Sequence, residues 1–146
     1  MKLTLDHIGL VVSRLDDTLD LFRKLGLTDM TEAMANPLQK VSASFLPITG
    51  SGDVVHLEFL EPTGEDSPIS KFIRKRGGGL HHLCFEVDDL DAAMAEVDRH
   101  GFRVTVAPQD CTAYDRNLKR ECSGTSRIAF FLLGDHLLVE LIEKGK

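Results

Sequence analysis

The sequence predicts an α+β fold built from two tandem βαβββ modules, and three observations carry that prediction. Residues 5–12, L-D-H-I-G-L-V-V, align without a gap on residues 80–87, L-H-H-L-C-F-E-V, at an offset of 75 that places His7 on His82 and Leu10 on Phe85. The same offset places Leu15-Asp16 on Leu90-Asp91 and Gly26 on Gly101, so it runs through strand, connector, helix and helix-ending glycine. After each helix the pattern supports roughly three further strands. One such sheet cannot cover its helix and remain well supported alone, whereas two copies can set their sheets together and enclose a shared cavity. The expected organisation is one domain over residues 1–146, with modules at about 3–65 and 79–144 joined by a short helix at about 67–76.

Each element has a local reason. Leu5, His7, Gly9 and Val11 alternate with Asp6, Ile8, Leu10 and Val12. Leu80, His82, Cys84 and Glu86 likewise share one side of a strand, and His81, Leu83, Phe85 and Val87 the other, which is apolar enough to pack under a helix. The first helix is expected at residues 16–25, where Leu15, Leu19, Phe22 and Leu25 form one stripe, Asp16 or Asp17 caps it and Gly26 stops it. Its counterpart spans residues 90–100, with Leu90, Ala93, Met94 and Val97 inward, Asp88 or Asp89 at its start and Gly101 at its end. Between them come a short strand and loop within residues 28–35, a strand at 39–47, a turn at 49–53 and a strand at 54–60. Ser67-Pro68 opens the bridging helix, whose Lys71, Arg74, Lys75 and Arg76 read as a solvated face or an anion contact. The second module continues with a strand at 103–106, a polar excursion at 107–124 and a strand at 127–133. A tight turn at Gly134-Asp135 leads to a last strand at 136–142.

Composition narrows the function classes. The net charge of -6, from 17 basic and 23 acidic residues, argues against a nucleic-acid partner. Apolar runs are far shorter than a membrane span, and the N-terminal stretch lacks the apolar core of a signal peptide, so a cytoplasmic protein with no membrane partner is expected. The three cysteines, Cys84, Cys111 and Cys122, form no close pair and suggest no disulfide framework.

The repeat singles out two matched polar positions per module: His7 and Glu58 in the first, His82 and Glu140 in the second. Unpaired carboxylates inside a protein are costly, and two converging on one cavity need a cation, a shared proton or salt-bridge partners. One divalent metal ion satisfies them and uses the imidazoles too. This mixed nitrogen and oxygen set suits Co, Mn, Ni, Zn or Fe, with Mg less usual. Strand parity selects His82 over His81. His56, two residues before Glu58 on the same face, is a candidate base or substrate contact. Cys84 reads as a small buried residue.

D-H-I at residues 6–8, L-E-F-L-E-P at 57–62 and V-E-L-I-E at 139–143 resemble the vicinal oxygen chelate superfamily of glyoxalases, bleomycin resistance proteins and extradiol dioxygenases. The resemblance covers nearly the whole chain. It implies a cup-shaped mixed sheet around a metal site held by His7, Glu58, His82 and Glu140. Residues 66–90, D-S-P-I-S-K-F-I-R-K-R-G-G-G-L-H-H-L-C-F-E-V-D-D-L, are similar to the methylmalonyl-CoA epimerase family. That similarity implies metal-assisted removal of an alpha proton from a small anionic or thioester substrate such as an acyl-CoA, with Glu140 and His56 as the acid–base candidates, in a homodimer. Two departures stand out. The family's further glutamate falls near Ala43, and residues 107–124 replace a short glycine-rich connection. Glu32 is another carboxylate that could approach from a loop. A lactoylglutathione-lyase-like isomerase or related lyase, and a noncatalytic small-molecule binding or resistance protein, are the alternative readings.

Overall fold

The computed structural model describes residues 1–49, 54–134 and 137–146. The chain forms two compact units, one of residues 8–81 and one of residues 1–7 with 82–146. Strand β1 (Thr4–Val11) contributes its first half to the second of these units and its last half to the first.

In the unit of residues 8–81, α1 (Leu15–Lys24) is followed by β2 (Met34–Asn36), β3 (Val41–Thr49), β4 (Val54–Pro62) and α2 (Pro68–Arg76). The strand order is β2-β3-β4-β1, with antiparallel pairing from β2 through β4. One sheet face packs Leu46 and Phe59 against Leu15 and Leu19 of α1. At the other face Ile69 of α2 joins Val11, Val41, Ala43 and Leu60. The stripe expected on α1 ends early, because Leu25 lies beyond its last turn and is 67% exposed. Asp16 and Asp17 sit in the first turn, not at the cap; Arg14 occupies that position and makes no side-chain cap bond. Their charge favours the helix through its N-terminal dipole instead.

The unit of residues 1–7 and 82–146 holds most of β5 (Gly79–Glu86), then α3 (Leu90–Arg99), β6 (Arg103–Asp110), α4 (Thr112–Asn117), β7 (Arg127–Leu133) and β8 (Leu137–Glu143). Its strand order is β1-β5-β8-β7-β6; β5 and β8 run parallel, and β6, β7 and β8 are antiparallel. Asp89 caps α3 by accepting from Ala92 N–H at 2.9 Å. Leu90, Ala93, Met94 and Val97 of that helix bury Ala129, Phe131, Val139 and Leu141.

The two βαβββ patterns wind alike, since β1-β4-β3-β2 and β5-β8-β7-β6 follow the same neighbour sequence. The offset of 75 holds for β1 and β5 and for α1 and α3, residue by residue. Gly78 at the β5 entry has φ +104, and a Cβ there would meet the Val11 carbonyl oxygen at 2.8 Å, so the glycine run lets backbone pass close to β1.

The polar excursion expected at 107–124 is not an open loop. β6 extends to Asp110, and α4 follows with Tyr114, Asp115 and Asn117 buried. Polar composition misled here because the buried groups are satisfied by specific bonds. Asp115 accepts from Ser126 N–H (2.8 Å), Ser126 Oγ–H (2.6 Å) and Arg120 (2.8 Å), and Arg120 also reaches the Gly145 carbonyl at 3.0 Å. The turn expected at residues 49–53 lies outside the described residues except at Thr49. The turn at Gly134-Asp135 is described only at Gly134, whose φ is +70. No helix among the described residues is long and apolar enough to cross a membrane.

Burial raises the Asp115 pKa, but the Ser126 and Arg120 hydrogen bonds outweigh it and hold the carboxyl below its ordinary value. A carboxyl depressed in the folded state adds stability above its unfolded pKa of ~3.9 and loses it as pH falls through the folded value. Asp115→Asn puts an amide where the carboxylate accepts three hydrogen bonds and should cost about 1–3 kcal/mol in urea unfolding at pH 7. The deficit should shrink below pH ~4 as the wild-type carboxyl protonates.

Candidate metal centre

Alternation along β5 buries His82 and Cys84 on one face, and His81 turns to the other, where its ring meets Phe72 of α2 edge-on at 5.3 Å. The parallel register of β5 and β8 sets Cys84 beside Glu140. Phe130 of β7 lies opposite Glu140 and meets the His82 ring edge-on at 5.6 Å. The opposite face, with Phe85, Val139 and Leu141, is sealed by α3. Polar positions on one face are thus fixed by apolar positions on the other.

Three of the four predicted ligands converge in this unit. His7 Nε2 lies 3.2 Å from His82 Nε2 and 3.1 Å from Glu140 Oε2, and His82 Nε2 lies 3.0 Å from the same oxygen. Exposures of 1%, 2% and 6% for His7, His82 and Glu140 leave little room for water to solvate them. Neighbouring donors of a six-coordinate ion with bonds of ~2.1 Å are ~3.0 Å apart, so the triangle fits one octahedral face. The His7 Nδ1–H donates to Asp6 Oδ2 at 2.7 Å, which leaves Nε2 as the ring atom that faces inward. These residues form a candidate site for a single divalent ion.

The electrostatics agree with this chemistry. Burial raises the Glu140 pKa, but hydrogen bonds and charge from His7 and His82 outweigh it and hold the carboxyl below its ordinary value, so the carboxylate is ionised and can ligate once an ion takes the place of the imidazole protons. Burial, then the Glu140 charge, pushes the Cys84 thiol well above its ordinary value and keeps it protonated. Asp6, His7 and Cys84 also place one potential ligand atom each within 4.8 Å of one another.

Glu58 belongs to the unit of residues 8–81. It is half-buried on β4 opposite Phe45, on the face shared with His56 and Leu60 and away from the α1-packed Phe59. The His56 ring meets Phe45 edge-on at 6.0 Å. Ala43 lies on this same face opposite Leu60 and is buried in hydrocarbon with Val11 and Ile69. Glu32 is exposed on the segment before β2.

Sequence reasoning missed Asp6, Tyr114 and Lys144. Strand parity put Asp6 on the face away from His7, yet its carboxylate curls back onto the neighbouring imidazole. The Tyr114 hydroxyl donates to both Asp6 oxygens at 3.0 Å, and Lys144 Nζ lies 2.7 Å from Asp6 Oδ1. Asp directly before the ligand His and one tyrosine inside a polar segment were the available signals; Lys144 gave none.

A profile of the glyoxalase/bleomycin resistance protein/dioxygenase superfamily matches residues 6–119. The chain belongs to this superfamily. Over 100 residues it is 31% identical to the mitochondrial methylmalonyl-CoA epimerase of Homo sapiens, covering 68% of this chain and 54% of that protein, so it matches about half of that relative's length. It is also 31% identical over 101 residues to an ethylmalonyl-CoA/methylmalonyl-CoA epimerase of Cereibacter sphaeroides, covering 68% and 72% of the two chains. Among solved structures, a variant of Streptomyces coelicolor methylmalonyl-CoA epimerase in complex with 2-nitronate-propionyl-CoA is 32% identical. It superposes with a TM-score of 0.81 over 99% of this chain and all of that one.

A metal that binds only the folded donor set stabilises it by mass action, by ~2.7 kcal/mol at a hundredfold excess over Kd. Excess Co(II) or Zn(II) should raise the melting temperature of the wild-type protein, a chelator should reverse the rise, and His7→Ala should abolish it. An equal rise in His7→Ala would place binding elsewhere.

Proposed function

We propose that the protein is a metal-dependent epimerase that exchanges the alpha proton of methylmalonyl-CoA or a closely related acyl-CoA. The convergence of His7, His82 and Glu140 carries this reading, on a scaffold similar over its full length to an epimerase solved with an acyl-CoA analogue. A divalent ion held there supplies positive charge that stabilises the negative charge developing on a carbonyl oxygen as the adjacent C–H proton leaves.

The chain's own residues supply the rest. His7 and His82 would offer Nε2 to the ion, and Glu140 would serve both as an ionised ligand and as a proton acceptor for one face of the substrate. Glu58 takes the fourth ligand place by its repeat position, since β4 carries it next to β1 as β8 carries Glu140 next to β5. Inversion also needs an acid–base group on the opposite face. His56 is assigned to it, because it shares the Glu58 face of β4 and Ala43 on that face brings no carboxylate. The substrate is expected to be a small anionic thioester. Modules at about 3–65 and 79–144, bridged by the helix at about 67–76, act as one domain in this reading. Three cysteines present as thiols support a cytoplasmic setting, and strand edges at β2 and β6 that gain protection from a partner support a homodimer.

One observation favours a second reading. Ala43 packed among Val11, Leu60 and Ile69 replaces an acid–base side chain with hydrocarbon, as suits a lactoylglutathione-lyase-like isomerase or a noncatalytic binding protein. Incubation of metal-loaded protein with methylmalonyl-CoA in heavy water separates these. The epimerase reading expects deuterium at the alpha carbon, and a rate lowered ~10²–10⁴-fold in His56→Ala. No deuterium uptake would overturn it for this substrate, and turnover of a thiol–aldehyde adduct instead would establish the second reading.

A further inference from the structure

Asp6 is a buried carboxylate that neither ligates in the predicted set nor faces solvent, and its acceptor capacity is filled in an asymmetric way. Oδ2 takes the His7 Nδ1–H at 2.7 Å, Oδ1 takes Lys144 at 2.7 Å, and the Tyr114 hydroxyl spans both at 3.0 Å. The Tyr114 ring also stacks on His7, with centroids 6.1 Å apart. All three donors come from different elements: β1, α4 and the segment after β8. We propose that Asp6, clamped by Tyr114 and Lys144, is the positioning residue that sets the metal affinity of the site by fixing the tautomer and orientation of His7.

Three pieces of geometry support this role. An ionised carboxylate can only accept, so its bond to His7 requires hydrogen on Nδ1, which leaves Nε2 as the atom that can give its lone pair to an ion beside His82 and Glu140. A short two-atom arm such as Asp swings about χ1 and χ2 unless its far oxygen is held, and Lys144 and Tyr114 hold it. Their own placement is over-determined. α4 is locked by Asp115 to Ser126 and Arg120, and Gly145 packs so closely on the Gly124 carbonyl that no Cβ could be accommodated there. Lys144, next to Gly145, also pairs with Glu86 at 2.9 Å. The helix in place of an open loop at 107–124 thus delivers a hydroxyl to the back of a ligand.

The inference rests on the metal-centre reading, and its test distinguishes the two. Co(II) affinity is measured by chelator competition in wild type, Asp6→Ala, Tyr114→Phe, Lys144→Met and the Asp6→Ala/Tyr114→Phe double variant. The metal-free melting temperature of each reports the fold. Asp6→Ala should weaken binding ~10–100-fold and Tyr114→Phe several-fold, with a changed Co(II) visible spectrum. In the Asp6→Ala background Tyr114→Phe should add less than about twofold, because its effect passes through Asp6. Wild type that binds no Co(II) would overturn the metal reading and this inference together. Wild type that binds, with Asp6→Ala within threefold of it or with Tyr114→Phe fully additive, would overturn the inference alone. The conservative Tyr114→Phe keeps the test valid if Asp6→Ala does not fold.

Discussion

His7, His82 and Glu140 hold three metal-binding atoms within 3.2 Å of one another, almost out of water's reach. Such an arrangement is unfavourable by itself, since a buried carboxylate needs compensating charge or hydrogen bonds. It persists because β5 and β8, which carry His82 and Glu140, are pinned from behind. Leu90, Met94 and Val97 of α3 bury Phe131, Val139 and Leu141, and each apolar residue driven to that face drives its neighbour to the other. The site and the core of this unit are two faces of one sheet. Loss of register in β5 or β8 by one residue would exchange them.

The sequence-level reading and the structure meet where periodicity governs. Strand alternation and the 75-residue offset located β1 and β5, α1 and α3, and the buried faces of His7 and His82, because these depend on spacing alone. The offset does not extend to Glu58 and Glu140, which are 82 apart; the second module is longer where α4 is inserted. That helix was invisible to pattern reasoning. Its six residues are too few for a hydrophobic stripe, and its buried Asp115 and Asn117 look like surface residues until their partners are known. The Asp6 carboxylate escaped for a related reason. Parity describes where a Cβ points, while a short side chain beside its hydrogen-bond partner can curl back across the strand.

Chemistry and specificity follow from different parts of the molecule. The repeated strands supply the candidate donor set, and on the proposed function it is this set that would stabilise charge on a carbonyl oxygen. The parts unique to each module shape what is done with that capacity. Ala43 in β3 presents no acid–base group, and in the proposed epimerase His56 on the same face takes that part. In the other unit, Lys144 reaches the back of His7 from the segment after β8, and Tyr114 from α4, a helix with no counterpart in the first module. A duplicated scaffold can in this way keep its ligands while its halves diverge around them.

On the proposed function His7, His82 and Glu140 together hold one divalent ion. Anomalous scattering from cobalt-loaded crystals tests it most directly. A single strong peak is expected ~2.0–2.3 Å from His7 Nε2, His82 Nε2 and a Glu140 oxygen. Crystals of cobalt-saturated protein with no peak there, or with the ion held by a different set of side chains, would contradict it.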